Sequence, residues 1–285
     1  MRATELAARA DVVHLEEVAT AWCDELVRTP SVVHLHFLVR LDQSVPWPWR
    51  RQFRDFLLYA LAERAAVRRH RYLIASSPVI ADVLRRASRT AEVVVAPLAL
   101  DPRDYPPARL SGPPRAGIIG TASWPPTASA LRRLVTRIWP EVHSRVPDAR
   151  LLLAGRGMRS FPGLDDIPGV EVHGEVPTAA GFLRELSVLL YPVERGSGMK
   201  VKVLEAIASG VPVVTTPEGA EGIEAEDGVV VETDDRRLAA AAVELLIDPA
   251  ARRESGAAAR KAFHLRYTPK PATEPLVDLY RRMAS

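Results

Sequence analysis

The stretch from Glu194 to Gly222 constrains the fold of this chain more than any other. Its sequence is ERGSGMKVKVLEAIASGVPVVTTPEGAEG. The small residues Gly196–Gly198 predict a turn, the apolar spacing over Lys200–Ser209 predicts a helix, and the β-branched run Val211–Thr215 predicts a buried strand. Because strands that alternate with helices are typical of parallel sheets, we expect an α/β fold.

The same stretch suits a phosphate group. A glycine turn before a helix leaves backbone N–H groups without helical acceptors, and the positive end of the helix dipole lies there too. Lys200 and Lys202 are on the first turn, although only four of the 38 Lys and Arg residues are lysine. Glu205, one turn further on, can accept hydrogen bonds from a sugar diol. An ordinary strand, turn and helix with solvated lysines is the open alternative.

The segment GSGMKVKVLEAIASGVPVVTTPEGAEGI resembles the donor-site signature of a large family of retaining glycosyltransferases with the GT-B fold, the glycosyl transferases group 1. The similarity continues in the family's order through AGIIGTASWPPTASALRRLV, PDARLLLAGRG and VEVHGEV, covering residues 70–285 well and 11–70 loosely. It implies two Rossmann-like doubly wound domains. It also implies transfer of a sugar from a nucleotide-diphosphate sugar to an unidentified acceptor, with retention of configuration and without a cofactor.

The resemblance further implies which residues bind the donor. Gly196, Ser197, Gly198 and Met199 would hold the diphosphate together with Lys200 and Lys202, the two lysines also stabilising charge on the leaving group. Gly174, Glu175 and Val176 would meet the nucleobase edge, with Arg156 at the same rim. His36 matches the histidine that approaches the donor sugar, and Glu205 matches the second glutamate of the family's paired signature.

Two departures from the family's pattern concern the same site. The first glutamate of the paired signature falls on Ser197, and Glu194 could replace it only if the loop bends back. Many relatives also carry an arginine and a lysine near the turn after the strand in Gly117–Trp124, where this chain has Thr121 and Ser123. A non-catalytic subunit that binds a nucleotide sugar and needs a partner is therefore the alternative function.

A proline-rich linker, Asp101–Pro114, predicts a boundary between two domains. We expect a partial acceptor-side domain over residues 1–104, a nucleotide-sugar-binding domain over 111–270, and a last helix over 272–284 that crosses back to the first domain. Predicted strands of the first domain are Asp11–Leu15, Ser31–Val39, Tyr72–Ser76 and Glu92–Leu98. Six strands with intervening helices are predicted for the second domain, which makes it complete.

Composition limits the class of protein and its partners. A net charge of +3 without a clustered basic stripe argues against nucleic acid. A single cysteine, Cys23, fits a reducing compartment, and no apolar run approaches the ~18 residues of a membrane span. We therefore expect a cytoplasmic protein. The helix predicted over 50–71, basic at both ends, could lie on the inner face of a membrane, with packing on its own sheet as the alternative.

A metal ion is not expected from the sequence. His34 and His36 point to the same side of one strand, but no Cys, Asp or Glu cluster adjoins them in the sequence. No Asp-x-Asp motif, which would hold a divalent ion on a diphosphate, occurs in the chain.

The N-terminal domain lacks a feature that the resemblance implies. Relatives open this domain with a glycine-rich loop after the first strand, whereas residues 1–10 contain no glycine and the first glycine is Gly112. We expect this domain to be incomplete, so that the chain binds donor but needs an upstream extension, a partner chain or self-association for transfer. A compact enzyme with a reduced acceptor domain is the alternative.

Overall fold

The structure, a computed structural model, describes residues 3–21, 23, 29–42, 45–164, 166–224 and 228–285. The chain divides into two compact units. Unit 1 comprises Met1–Ala99, Arg195–Met199 and Lys270–Ser285, and unit 2 comprises Leu100–Glu194 and Lys200–Pro269. Each unit is an α/β structure built on a parallel sheet, as the alternation of predicted strands and helices indicated.

The sheet of unit 1 has four described strands in the order β1-β2-β3-β4, all parallel. They are β1 (Val13–Glu16), β2 (Ser31–Leu35), β3 (Tyr72–Ala75) and β4 (Glu92–Val95). The helices are α1 (Ala3–Ala7), α2 (Glu17–Ala21), α3 (Val39–Asp42), α4 (Arg51–Arg69) and α5 (Pro78–Ala87), together with the part of α12 (Pro269–Ala284) that follows Pro269.

Apolar side chains cover both faces of this sheet. On one face, Val33, Leu35 and Leu73 pack with Val67 of α4 and Ile80 of α5. On the other face, the C-terminal helix supplies the cover, and the buried cluster there comprises Val32, Ile74, Ala96, Leu279 and Met283. A parallel sheet needs both faces covered, and α12 provides the second cover from the far end of the sequence.

The sheet of unit 2 has six described strands in the order β10-β9-β8-β5-β6-β7, again all parallel. They are β5 (Arg115–Ile119), β6 (Arg150–Ala154), β7 (Val170–Gly174), β8 (Val188–Tyr191), β9 (Val213–Thr215) and β10 (Val229–Val231). The helices are α6 (Pro125–Arg133), α7 (Trp139–Arg145), α8 (Ala179–Leu183), α9 (Val201–Ala208), α10 (Asp235–Ile247) and α11 (Pro249–Arg266).

The order of strands reverses between β5 and β8, which are direct neighbours. In doubly wound sheets a ligand crevice lies outside the carboxyl ends of the strands at such a reversal. The segments that leave this point are the turn after β5 and the chain after β8, which leads into α9. Unit 2 therefore places the segment around Lys200 at the edge where this fold class binds ligands.

Several predicted elements differ from those observed, and three of them show why. The strand predicted over Ser31–Val39 ends at Leu35, because Val39 begins the short helix α3. The helix predicted over residues 19–28 is described only as Glu17–Ala21, and residues 22 and 24–28 lie outside the described part of the chain. The helix predicted over residues 127–146 contains a π-helical segment, Leu134–Ile138. This segment ends two positions before Pro140, whose ring removes a backbone donor.

The helix predicted over residues 50–71 is observed as α4, and one face of it packs through Ala66 and Val67. No helix in the described part of the chain is long and apolar enough to cross a membrane. Peripheral contact with a membrane stays a prediction.

Candidate functional site

The predicted donor-binding residues fall in both units. Unit 1 contains His36 and the loop residues Gly196, Ser197, Gly198 and Met199. Unit 2 contains Lys200, Lys202, Glu205, Arg156, Gly174, Glu175 and Val176.

Backbone hydrogen bonds join the carboxyl ends of β5, β6 and β7 in unit 2. The Gly120 amide donates to the Ala154 carbonyl at 3.0 Å, and the Gly155 amide donates to the Gly174 carbonyl at 2.6 Å. Gly155 has a φ of 122°, and a Cβ at this position would overlap the Gly120 carbonyl oxygen. Only glycine fits here, because the two turns approach each other through their backbones. This edge therefore exposes backbone rather than bulky side chains to a ligand.

The residues predicted to meet a nucleobase lie at the end of β7. Gly174 closes the strand with a φ of 71°, and Arg159 donates to the preceding carbonyl, that of His173, at 2.9 Å. Nε of Arg156 lies 3.8 Å from a carboxylate oxygen of Glu175, and both side chains are exposed. An exposed pair of this kind contributes little stability, so it can rearrange around a ligand at small cost.

Helix α9 places its N-terminus directly after the predicted phosphate-binding turn. Lys200 is the N-cap residue, and its side chain does not cap the helix. Lys202 is in the first turn, and its Nζ donates to Oε2 of Glu205 at 2.9 Å. The first turn of α9 therefore combines a positive helix end with a lysine that is held by an internal carboxylate.

Glu205 is buried, with 7% of the residue exposed, and both of its oxygens are hydrogen-bonded. The Tyr105 hydroxyl donates to Oε1 at 3.0 Å, while Lys202 occupies Oε2. Burial and the Glu205 carboxylate raise the pKa of Tyr105 to about 12, so this hydroxyl remains a donor at neutral pH. The Tyr105 carbonyl is itself held by Nη1 of Arg260 at 2.9 Å. The carboxylate is therefore fixed in one orientation.

Glu194, considered above as a substitute for the missing first glutamate, has both of its carboxylate oxygens close to other side chains. Its Oε2 accepts a hydrogen bond from the Ser129 hydroxyl at 2.6 Å, and its Oε1 lies 3.7 Å from Nη1 of Arg137. Both partners belong to helical segments that follow β5.

Hydrogen bonds to α3 and to the residue before it hold the loop Arg195–Met199 within unit 1. Oδ1 of Asp42 accepts from the Ser197 amide at 2.5 Å and from the Ser197 hydroxyl at 2.6 Å. The Ser197 hydroxyl oxygen in turn accepts from the Leu38 amide at 2.7 Å. Ser197 is thus buried and engaged within the unit, at the position where the family has its first glutamate.

Two further residues of this loop are fixed by the same unit. Gly198 has a φ of 73°, and a Cβ there would overlap the His36 carbonyl oxygen. The Leu98 amide donates to the sulfur of Met199 at 3.1 Å, and Met199 is buried. Because any side chain at Gly198 would collide with backbone, glycine at this position is required by packing as well as by turn geometry.

His36 lies directly after β2, and two acidic residues hold it. Its Nε2 is 2.7 Å from Oε2 of Glu16, and its amide donates to Oε1 of Glu17 at 2.9 Å. Burial raises the pKa of Glu17. Burial, together with the neighbouring histidines, lowers the pKa of His34 to about 3. No cluster of Cys, Asp or Glu adjoins these histidines in the sequence, but the β1–β2 register pairs Glu16 directly with His34.

Comparison with known proteins identifies the part of the chain that contains most of these residues. Residues 113–248 match the family described as Glycosyl transferases group 1. The matched segment includes the whole stretch from Arg156 to Glu205, and His36 and Tyr105 lie outside it. No curated protein sequence matches the chain.

The solved structures that this chain resembles have the GT-B fold. The sucrose-phosphate synthase of Thermosynechococcus elongatus aligns over 96% of this chain and 74% of its own, with 18% identity and a TM-score of 0.74. TarM of S. aureus aligns over 94% of this chain and 54% of its own, with 12% identity and a TM-score of 0.76. HepE of Anabaena, solved with UDP and glucose, aligns over 98% and 79%, with 15% identity and a TM-score of 0.73. The chain therefore spans between about half and four fifths of these proteins.

Two residues that hold predicted site residues in place were not predicted from the sequence. Tyr105 lies in the proline-rich linker, before the segment that matches the group 1 family, and its hydroxyl donates to Glu205, 100 positions away. Asp42 follows a strand in unit 1 and bonds to Ser197, 155 positions away. The sequence carried no signal that links either pair, because both contacts arise only when distant segments pack together.

Proposed function

We propose that this chain transfers a sugar from a nucleotide-diphosphate sugar to an acceptor hydroxyl, with retention at the anomeric carbon and without a metal ion in the transfer step. The observation that carries the proposal is the N-terminal part of α9 within the segment that matches the group 1 family, where Lys202 and the buried Glu205 face each other at 2.9 Å. The two side chains lie one helical turn apart, so the lysine can bind the diphosphate and the glutamate can bind the ribose of the same ligand.

The diphosphate end of the ligand is assigned to Lys200, Lys202 and the N-terminus of α9. A helix N-terminus provides backbone donors and a positive dipole, and a lysine adds a charge-assisted hydrogen bond. Lys202 is paired with Glu205, so a phosphate would share this ammonium group, which has three donors. The contributions of the Gly196–Met199 backbone and of His36, which the resemblance implies, stay predictions.

The ribose end of the ligand is assigned to Glu205. A carboxylate has about four acceptor sites, and Tyr105 and Lys202 occupy two of those on Glu205. The remaining two can accept from the two hydroxyl groups of a ribose. Because the existing hydrogen bonds already fix the carboxylate, little entropy is lost when a diol binds.

In the chemical step, the departing phosphate of the donor itself accepts the proton of the acceptor hydroxyl. The bond between the anomeric carbon and the phosphate oxygen breaks, a bond from the same face to the acceptor oxygen forms, and the acceptor proton moves to the departing phosphate. Negative charge grows on the diphosphate during this step. The lysines and the positive helix end stabilise that charge, which is the contribution the protein makes to the rate.

Uridine diphosphate is the ligand to test first, since HepE, which shares the fold, was solved with UDP and glucose. In calorimetry, we expect Lys202→Ala to weaken UDP binding about tenfold, because a charge-assisted hydrogen bond contributes about 1.5–3 kcal/mol. Lys261→Ala, which removes an exposed lysine in α11 of the same unit, is the matched control and should leave the affinity unchanged. Equal affinities of both variants would contradict the phosphate assignment.

The ribose assignment has its own test. We expect 2′,3′-dideoxy-UDP to bind more weakly than UDP to the unsubstituted chain, and Glu205→Ala to remove most of that difference. Glu205→Gln retains one acceptor and should show an intermediate loss. If the dideoxy nucleotide binds as tightly as UDP, Glu205 serves only to hold Lys202 and Tyr105.

A non-catalytic nucleotide-sugar-binding subunit is the second candidate function. It is favoured by Ser197, which stands where the family has a carboxylate and whose hydroxyl is bound to Asp42. Release of free UDP from UDP-sugars, measured with and without acceptor sugars, separates the two. Release above the level of Lys202→Ala supports transfer, whereas tight UDP binding without release supports the second candidate.

A further inference from the structure

Three histidines and a glutamate meet at the carboxyl ends of β1 and β2 in unit 1. His14 and Glu16 belong to β1, His34 belongs to β2, and His36 follows it. The rings of His14 and His34 have centroids 5.4 Å apart, and those of His34 and His36 lie 4.0 Å apart. Positively charged imidazoles would repel at these distances, so the cluster is suited to neutral rings gathered around a cation.

The donor atoms of three of these residues have the spacing of a metal site. One ligand atom each from His14, Glu16 and His34 lie within 4.8 Å of one another. Nε2 of His14 is 3.2 Å from Oε1 of Glu16, and Nδ1 of His34 is 3.9 Å from Oε2. Two ligands of a tetrahedral zinc ion with bonds of about 2.0–2.1 Å are about 3.3 Å apart. The first pair has nearly that spacing, and the second, which involves the other oxygen of Glu16, is about 0.6 Å longer.

Neighbouring groups orient the ligand atoms. Nδ1 of His14 is hydrogen-bonded to the Tyr280 hydroxyl of α12, which directs Nε2 of the same ring toward Glu16. Oε2 of Glu16 is bonded to Nε2 of His36 at 2.7 Å. A hydrogen bond on the second ring nitrogen or on a ligating carboxylate is the usual support of a metal-binding residue.

The cluster also contains buried polar atoms that nothing in the described structure satisfies. His34 is only 6% exposed, and its Nε2 has no hydrogen-bond partner. Nε2 of His14 lies near Glu16 but forms no hydrogen bond, and Nδ1 of His36 has none. A buried imidazole nitrogen without a partner is costly, and a metal ion bound by the lone pair of Nε2 of His14 would remove that cost at this atom.

We propose that His14, Glu16 and His34 bind one divalent transition-metal ion of the zinc class. Two imidazoles and one carboxylate favour zinc or cobalt over magnesium and calcium, which prefer oxygen ligands. The ion would join β1 to β2, and through the bond between His14 and Tyr280 it would also fix α12. This site lies within unit 1, and the proposal is independent of the glycosyl-transfer function.

The test uses the full 285-residue chain without an affinity tag, freed of metal by a chelator. We expect calorimetry with Zn²⁺ to show one equivalent bound, and Co²⁺ to give the visible absorption of a tetrahedral nitrogen and oxygen site. Glu16→Gln should weaken Zn²⁺ binding at least about tenfold, and Tyr280→Phe by about tenfold, since partners of ligands typically contribute 10–100-fold.

Glu171→Gln is the matched control, because Glu171 is an exposed glutamate beside a single histidine, His173, at 3.8 Å in unit 2. This variant should bind Zn²⁺ like the unsubstituted chain. His34 is buried, so His34→Gln could unfold the protein and needs a circular dichroism spectrum as a check on folding. Glu16 is exposed, so Glu16→Gln tests the site without this risk.

Two outcomes would overturn the proposal. One is the absence of stoichiometric Zn²⁺ binding, and the other is equal affinity of Glu16→Gln and Glu171→Gln. In either case the cluster is a hydrogen-bonded group of side chains that binds no metal. UDP binding by the same protein samples is measured in parallel, so that failure of the metal site is distinguished from failure of the proposed function.

Discussion

At the scale of single residues, two buried glutamates show how neighbouring groups decide what a carboxylate does. Glu205 has a lysine and a tyrosine hydroxyl on its two oxygens. Glu63 of α4, only 1% exposed, accepts from the Val39 amide and from Nε of Arg40, both at 3.0 Å. Glu205 lies at the edge of a predicted ligand crevice, whereas Glu63 links α4 to α3. Similar hydrogen bonding therefore packs two helices together in unit 1, whereas in unit 2 it holds the carboxylate that we propose to bind a ribose.

Glu63 makes the stability of unit 1 dependent on pH. Burial raises its pKa above the ordinary value of 4.5, although Arg40 and the Val39 amide act in the opposite direction. A folded-state pKa above the unfolded value contributes stability below the unfolded pKa, and this contribution is lost as pH rises through the folded pKa. As the pH rises above 4.5, we expect the free energy of unfolding in urea to fall less for Glu63→Gln than for the unsubstituted chain.

The control for this prediction is Glu274→Gln, which replaces an exposed glutamate of α12 in the same unit. It should reproduce the pH dependence of the unsubstituted chain from pH 4.5 to about pH 8. If Glu63→Gln shows the same slope as this control, Glu63 ionises normally in the folded protein and the prediction is wrong.

At the scale of elements, α4 is apolar on two sides. Ala66 and Val67 pack on the sheet, while Leu57, Leu58 and Leu61 are exposed by 44%, 59% and 54%. Trp47 and Trp49 are also exposed just before the helix. Exposed arginines flank this apolar surface, at positions 50, 51, 54, 64 and 68. Leucine and tryptophan beside arginine are typical of helices that lie on anionic membranes.

We predict that this face of α4 binds anionic lipid. In sedimentation with phosphatidylglycerol vesicles, Leu58→Glu should reduce binding about tenfold, because a buried leucine contributes about 1.5–3 kcal/mol. Ile247→Glu, which replaces a side chain that is 61% exposed in unit 2, is the control and should bind like the unsubstituted chain. Self-association through α4 would instead appear as a larger particle in solution that Leu58→Glu dissociates, with no binding to vesicles.

At the scale of the whole chain, unit 1 is completed by the last segment of the sequence. Leu279 and Met283 of α12 pack against Val32, Ile74 and Ala96, and Nη2 of Arg282 donates to Glu92 at 2.6 Å. The chain leaves unit 1 after Ala99 and returns to it finally at Lys270. Folding of this unit therefore requires contacts between residues more than 180 positions apart, which are slow to form.

We expect Leu279→Ala to destabilise unit 1 by about 2–5 kcal/mol, since Leu279 is fully buried and its truncation leaves a cavity. Hydrogen exchange should become faster in β2, β3 and β4 and remain unchanged in β5 to β10. Val277→Ala, on the same helix but 40% exposed, should change stability by no more than about 0.5 kcal/mol. Faster exchange in the strands of both units would contradict the assignment of α12 to unit 1 alone.

The sequence by itself determined the elements and the main site segment. Apolar periodicity predicted β3 and α9 to within one residue at either end. It did so because each of these elements buries one face at a regular interval. The motif around Lys202 and Glu205 could also be predicted, since its residues are one helical turn apart.

Only the tertiary structure decided which distant residues meet. Strand pairing placed Glu16 beside His34, and loop packing placed Tyr105 on Glu205 and Asp42 on Ser197. The metal site that we propose was invisible in the sequence, because its ligands lie on two strands joined by an intervening segment. Local spacing records the periodicity of a helix or a strand, whereas contacts between segments depend on register and strand order, which no single stretch of sequence contains.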